Sequence, residues 1–129
     1  MRAAPVFVLA ACLATPAVAA LAPEWYEKAR RDAPHVVVLE VERVNGLGPT
    51  QDHGTCTVIG KVRAVERGGH YRVGGPVEVA VPCAKPRAQV PAGPAQWQGY
   101  AALKDSRAGR AWMTRPGELA LFQYQILAP

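Results

Sequence analysis

The chain contains few of the side chains that carry nucleophilic catalysis. Its 129 residues include three histidines, three cysteines and a single serine, Ser106. Ser106 is outside the Gly-x-Ser-x-Gly pattern of a nucleophile elbow, and no spacing places it beside a histidine and either Asp32 or Asp52. The glutamates mostly alternate with apolar residues, as solvent-facing strand positions do, which argues against a pair of catalytic acids. We therefore expect no enzyme activity and no cofactor.

The chain also lacks an apolar run long enough to cross a bilayer. Spanning requires about 20 predominantly apolar residues, whereas the apolar run near the N-terminus covers only residues 3–13. Arg2 precedes this run, and four small residues follow it at 17–20. A positive start, a short apolar segment and small residues at a cleavage site are typical of a secretory signal peptide. We predict that residues 1–20 are removed and that residues 21–129 form one exported domain, periplasmic or secreted.

An alternative for the N-terminus is lipidation. Leu9-Ala10-Ala11-Cys12 matches the lipobox pattern, in which the cysteine is lipidated and becomes the new N-terminus. Only eleven residues precede Cys12, however, and the apolar character continues through Leu13, where a lipoprotein usually turns polar. In this alternative the protein is a lipid-tethered envelope protein, and membrane contact is expected only in this case.

Two cysteines, Cys56 and Cys83, remain in the predicted mature chain. Disulfides form and persist in oxidising compartments, so an exported domain with two cysteines is most simply bridged. Such a bridge would add roughly 3 to 4 kcal/mol of stability in the chain-entropy description. The alternative is a metal-binding or thiol-active protein that uses both cysteines reduced, with His53 and His70 completing a tetrahedral site. We favour the bridge and expect no metal ligands.

Composition and periodicity predict a single, mainly β domain. Hydrophobic residues make up 50% of the chain, which excludes disorder, while 12 Gly and 12 Pro indicate many turns. A short helix is predicted over 23–33, with Trp25 packing against the domain, and a bulge or bend is expected at Gly60. The predicted strands are His35–Val44, Thr55–Glu66, Pro76–Cys83, Trp97–Leu103, Ala111–Thr114 and Glu118–Leu127. This arrangement favours a small antiparallel barrel or sandwich of five or six strands.

The order of these segments resembles exported OB-fold proteins of the netrin-like or tissue-inhibitor-of-metalloproteinase-like group. The similarity covers residues 24–127 and rests on strand order and hydrophobic spacing, above all in Val36–Val44, Val77–Cys83 and Pro116–Phe122. It implies an OB-like barrel. Inhibitors of this group bind the protease zinc through a disulfide-bonded cysteine at the mature N-terminus, whereas the mature chain here is predicted to begin near Leu21, without a cysteine. Metalloproteinase inhibition is therefore not expected.

Positive charge is concentrated late in a chain whose net charge is +5. Residues 84–115 contain six Lys and Arg against a single Asp, together with several aromatic residues. Cationic side chains interleaved with aromatic rings are typical of surfaces that bind anionic polymers or headgroups. The predicted binding surface is a basic loop with neighbouring rings and comprises Trp97, Tyr100, Lys104, Arg107, Arg110, Trp112 and Arg115.

The function expected from the sequence is that of an exported, non-enzymatic accessory or binding domain. Its partner would be an anionic envelope polymer or another envelope protein, because an exported protein rarely meets nucleic acid. The alternative is that the aromatic rings belong to the core or the barrel mouth and that Lys104–Arg110 is an ordinary solvated loop.

Overall fold

The computed structural model describes residues 4–5 and 21–128. The predicted cleavage region at 17–20 and the lipobox cysteine, Cys12, lie outside the described residues. Within the described part of the chain, no helix is both long and apolar enough to cross a membrane.

The first helix, α1, spans Pro23–Asp32 and begins where the sequence predicts. Pro23 suits the first helical turn because its missing N–H would be unpaired there in any case. The expectation that Trp25 packs against the domain is wrong, since its side chain is 55% exposed. The neighbouring residue Tyr26 faces inward instead, 5% exposed, and its hydroxyl donates a 2.8 Å hydrogen bond to the Pro94 carbonyl. Successive residues of a helix point about 100° apart, so burying Tyr26 turns Trp25 towards solvent.

Six strands and one further helix follow α1. They are β1 His35–Asn45, β2 His53–Arg67, β3 Pro76–Ala84, β4 Gln98–Gly99, α2 Tyr100–Asp105, β5 Ala108–Arg115 and β6 Glu118–Leu127. The boundaries of β6 are those predicted, and β1, β2 and β3 differ from prediction by one or two residues at an end. Between β5 and β6 the chain reverses at Pro116-Gly117, and Gly117 adopts the positive φ of 85° typical of the second corner of a type II turn.

The predicted strand Trp97–Leu103 is wrong. Only Gln98–Gly99 pair as a strand, and the chain then turns into α2. A seven-residue apolar segment is compatible with a strand or a helix, because neither the strand period of about two residues nor the helix period of about 3.6 repeats often enough to decide. The tertiary structure selects the helix, because it places Leu103 at the end of the barrel, where this side chain is fully buried and joins the core cluster.

The strands form a closed barrel in the order β2–β1–β5–β6–β3, and β3 pairs back with β2. The neighbours are antiparallel except for β3 with β6, which run parallel and share one residue pair, Ala80 with Glu118. The short strand β4 adds to the free edge of β3, at Cys83 and Ala84. This five-stranded barrel with one extra strand confirms the prediction of a small, mainly β, OB-like barrel.

Strand β2 serves two neighbours because it bends at Gly60. Residues 57–67 pair with β1, and residues 53–61 pair with β3. A Cβ atom at Gly60 would lie 1.9 Å from the Glu40 carbonyl oxygen, so only glycine allows the two strands to approach this closely. The β1–β2 register shifts at the same place, between Val41 and Arg43, which confirms the predicted irregularity.

The barrel interior is filled by aliphatic side chains and a disulfide. Cys56 of β2 and Cys83 of β3 are joined, with an S–S distance of 2.00 Å and a Cα–Cα distance of 5.8 Å. Both cysteines have no exposed surface. The predicted disulfide is confirmed, and it links two strands that also pair through their backbones. The core around it comprises Val37, Leu39, Val58, Val79, Val81, Leu103 and Met113.

Candidate functional site

The residues of the predicted binding surface do not form a loop. Residues 108–115 form strand β5, in which Ala111 and Met113 point into the core while Arg110 and Trp112 are half-buried on the outside. Lys104 belongs to α2, on another element. The expectation of a basic loop over 104–115 is therefore wrong. The seven predicted residues divide into two clusters and two isolated positions, with Trp97 beside the second cluster.

The first cluster lies where α1 packs against the outside of the barrel, and we call it the Trp112 cluster. The Trp112 ring has a guanidinium group on it from Arg30 of α1 and another from Arg110, each 5.9 Å from the ring centroid. Arg110 also donates to both carboxylate oxygens of Glu66, at 2.7 and 3.1 Å, and its Nη1 donates to the Gln125 side chain. The hydrogen bonds that Arg110 donates to the Glu66 carboxylate raise the pKa of its guanidinium above the usual range.

The cations of the Trp112 cluster are already engaged in holding α1. Arg30 hydrogen-bonds the Gln123 side chain. Nη1 of Arg67 reaches the carbonyls of Arg30, Arg31 and Ala33 at 3.0, 3.0 and 2.6 Å, so it satisfies the C-terminal end of the helix. Arg30 and Arg67 thus help to dock α1 on the barrel through hydrogen bonds to neutral acceptors.

The second cluster lies at the end of the barrel closed by α2, and we call it the lysine–tyrosine patch: Lys85, Tyr100 and Lys104. The ammonium nitrogens of Lys85 and Lys104 are 5.8 and 5.5 Å from the centroid of the Tyr100 ring. The Tyr100 hydroxyl donates to the Leu47 carbonyl at 3.4 Å. A Cβ at Gly46 would lie 2.2 Å from the ring, so this glycine lets the β1–β2 loop pack against Tyr100.

The two lysines of this patch carry uncompensated charge. The Lys85 ammonium donates to the neutral carbonyl of Gly48 at 3.0 Å. Within residues 21–128, neither Lys85 nor Lys104 forms an ion pair with a carboxylate. The ring holds both cations by its negative face, and the full positive charge of each remains available to an outside partner.

A histidine and a tryptophan lie beside the patch. His53 meets the Trp97 ring edge to face, with the centroids 5.4 Å apart. Nδ1 of His53 is 2.6 Å from one carboxylate oxygen of Asp52, and the other oxygen accepts the Gln89 N–H at 3.1 Å. These two hydrogen bonds, that of Gln89 first, hold the pKa of Asp52 below its ordinary value. The Lys85 N–H donates to the Asp52 carbonyl, which joins this group to the lysine–tyrosine patch.

Two predicted residues stand apart from both clusters. Arg115 forms an exposed ion pair with Glu118 across the β5–β6 turn, at 2.9 Å. Arg107 lies between α2 and β5, where its carbonyl accepts the Val41 N–H. Sequence reasoning also missed two members: Arg30, more than 80 positions before Trp112, and Lys85, which was counted in the basic stretch but not placed in the surface. No local sequence pattern indicates either cation, because only folding brings Arg30 and Lys85 to the aromatic rings they contact.

The residues of the thiol or metal alternative are not assembled. Both cysteines are in the disulfide, and His53 and His70 lie near opposite ends of β2. His70 contacts the rings of His35 and Tyr71 instead. Residues 4–5 and 21–128 contain no group of three or more metal-ligating side chains. The hydroxyl of Ser106 donates to the Leu103 carbonyl at the end of α2, a local helix-end contact.

No protein-family model, curated protein or solved structure matches this chain. The resemblance to the netrin-like group stays a prediction, and a functional argument rests on the contacts described above.

Proposed function

We propose that the protein is an exported, non-enzymatic binding domain that contacts an anionic envelope component through the lysine–tyrosine patch. One observation carries this proposal: two ammonium groups lie against a single aromatic ring, and no carboxylate of residues 21–128 pairs with either. Unpaired cations at adjacent positions attract polyanions over the Debye length, about 8 to 10 Å at moderate salt. Export rests on the N-terminal sequence, with which a buried disulfide is compatible.

The Trp112 cluster supports this function less well. Arg110 is paired with the Glu66 carboxylate, and Arg30 and Arg67 donate to neutral acceptors in holding α1, so an anion would have to compete with these partners. The backbone carbonyls at the helix end also carry partial negative charge, which disfavours an anion there. The binding surface is therefore assigned to Lys85, Tyr100 and Lys104, with Trp97 beside them.

The test is retention of the oxidised protein, residues 21–129, on immobilised heparin as a polyanionic probe, eluted with salt. Lys85→Glu combined with Lys104→Glu should weaken binding by at least about tenfold. Because Lys85 also holds the β1–β2 loop, Lys104→Glu alone should show part of the loss without disturbing that hydrogen bond. The matched control is Lys61→Glu with Arg63→Glu, which makes the same change of net charge at two exposed positions of β2.

The control decides between a site and a general charge effect. Equal losses in the two double variants would contradict the proposal, since they would show that retention follows net charge alone. Unchanged retention of the Lys85/Lys104 variant would contradict it as well. Melting temperatures of all variants show whether a loss of retention reflects unfolding.

Tethering through Cys12 is a separate proposal about location. It is tested by Cys12→Ser in the full chain: release of the protein from the membrane fraction would support lipidation. An unchanged soluble fraction, together with a mature mass that begins near residue 21, would support cleavage of the signal peptide.

A further inference from the structure

An apolar cleft opens on the outside of the barrel between β3 and β6. These strands share only the residue pair of Ala80 and Glu118 before they diverge. The resulting cavity has a volume of about 600 Å³, with Ala80 and Pro82 on one wall and Leu121 and Phe122 on the other. We call it the β3–β6 cleft. Its β3 wall is made of small side chains, so the space is left open.

The β6 wall of the cleft is built from strained backbone. Leu121 and Phe122 have φ angles of 45° and 60°, in the left-handed region that L residues with large side chains rarely adopt. The β5–β6 pairing is interrupted there, between Leu119 and Tyr124. Glycine would relieve the strain, yet two large apolar residues occupy these positions and remain half-buried along the cleft. Strain of this kind concentrates at binding sites, where the side chains must be held in place.

The same chain also carries a large apolar side chain that the described part of the fold leaves exposed to solvent. Trp25 is 55% exposed on α1, and Leu21, four residues earlier, is 40% exposed. Lys28 follows Trp25 at a spacing of three, which puts the two side chains on neighbouring positions of the helix surface. A tryptophan beside a cation is therefore exposed to solvent near the N-terminal end of the described domain.

Lys28 of α1 carries a charge opposite to that of the glutamates at the edge of the cleft. Glu118 lines the cleft, and Glu78 is exposed on the same outward row of β3 as Ala80. Glu118 pairs with Arg115 and Lys28 with Asp32, but all four side chains are more than half exposed, so these pairs are easily exchanged. A tryptophan that enters the cleft from outside would bring Lys28 towards the two glutamates.

We propose that the β3–β6 cleft receives Trp25 of a second copy of this chain. The contact is heterologous, because the helix of one copy meets the cleft of the next, and it leaves one helix and one cleft free in each pair. Such a contact produces chains or rings whose size grows with concentration. This inference is independent of the lysine–tyrosine patch, which lies at the end of the barrel closed by α2.

The experiment is sedimentation velocity of the oxidised chain, residues 21–129, from micromolar to millimolar concentration. We expect association that Trp25→Ala weakens by at least about 30-fold, as for a tryptophan at the centre of an interface. Ala80→Trp should block association by filling the cleft, and Thr55→Trp does so from the β2 side of it. Val73→Ala is the control, since Val73 is an apolar residue on the turn before β3 that is even more exposed than Trp25, at 69%.

Mixing the variants gives the decisive result. Trp25→Ala retains the cleft alone, and Ala80→Trp retains the helix alone, so neither should associate by itself while the two together form a one-to-one dimer that grows no further. A wild-type chain that stays monomeric throughout would overturn the proposal. So would self-association of Ala80→Trp and Thr55→Trp at wild-type strength, which would mean that Trp25 stacks on another Trp25 or on a different surface. Thermal melts establish that each variant is folded.

Discussion

Tyr124 of β6 allows the packing of the barrel to be tested by a change that should stabilise it. The residue is 6% exposed, and its hydroxyl oxygen has no hydrogen-bond partner among the described residues. The hydroxyl lies against Gly109 of β5, where a Cβ would be 2.0 Å from Oη and 2.5 Å from Cζ. Gly109 therefore provides the space for the tyrosine, but no residue that the structure describes provides an acceptor for its proton.

We expect Tyr124→Phe to stabilise the domain by about 1 to 2 kcal/mol. A buried polar group without a partner costs about 1 to 3 kcal/mol, and phenylalanine keeps the ring and its contacts. In a domain of this size the gain corresponds to a rise of about 4 to 12 °C in Tm. The assay is thermal or urea unfolding at neutral pH with the disulfide intact. A loss of 1 kcal/mol or more would refute the reasoning, because it would mean that the hydroxyl has a partner.

Two companion measurements use the same residue. Gly109→Ala should destabilise by at least about 2 kcal/mol through overpacking, and Tyr124→Phe should recover part of this loss because the closest clash is with Oη. The second concerns alkaline pH: burial raises the pKa of the Tyr124 phenol far above its ordinary value of 10.0. The folded state thus favours the neutral phenol, so its contribution is complete below about pH 10 and is lost as the pH rises further. Tyr124→Phe should lose stability less steeply above that pH.

Two further predictions concern the links between elements. Arg67→Met should lower the free energy of unfolding by about 1 to 2 kcal/mol because three carbonyls at the end of α1 lose their donor. The control is Arg63→Met, exposed on the same strand, which should change the free energy of unfolding by less than about 0.5 kcal/mol. Equal effects of the two substitutions would argue against a capping role of Arg67. Replacing both Cys56 and Cys83 by alanine should cost about 3 to 4 kcal/mol in urea unfolding, since the bridge closes a loop with a sequence separation of 27. A cost below about 1 kcal/mol would show that strand pairing already restricts that loop.

Local chemistry accounts for the parts of the fold that were predictable. Alternating apolar residues place β3 almost to the residue, because side chains of a strand point to opposite faces in turn. Pro23 marks the start of α1, and Gly60 marks the bend of β2. The pairing of Cys56 with Cys83 follows from their being the two cysteines of the predicted mature chain. Each of these inferences depends only on residues that are close in sequence or on a simple count.

The errors share a different cause. Whether Trp25 or Tyr26 faces the barrel depends on how α1 is rotated, and contacts from residues such as Pro94 decide that rotation. Leu103 lies in a helix because the end of the barrel leaves a space that a helical turn fills. The prediction of a basic loop is wrong because charge density along the chain does not show which side chains a strand turns outward.

The sequence by itself determined the mainly β barrel, the positions of most of its strands and the disulfide, because alternation, turn residues and a pair of cysteines act locally. Only the tertiary structure decided how the basic and aromatic residues are grouped. It placed Arg30 of α1 against the Trp112 ring, where this cation helps to dock the helix. It also brought Lys85 and Lys104 to one ring from elements separated along the chain. The closure of the barrel sets such contacts, because it brings together side chains that lie apart in the sequence.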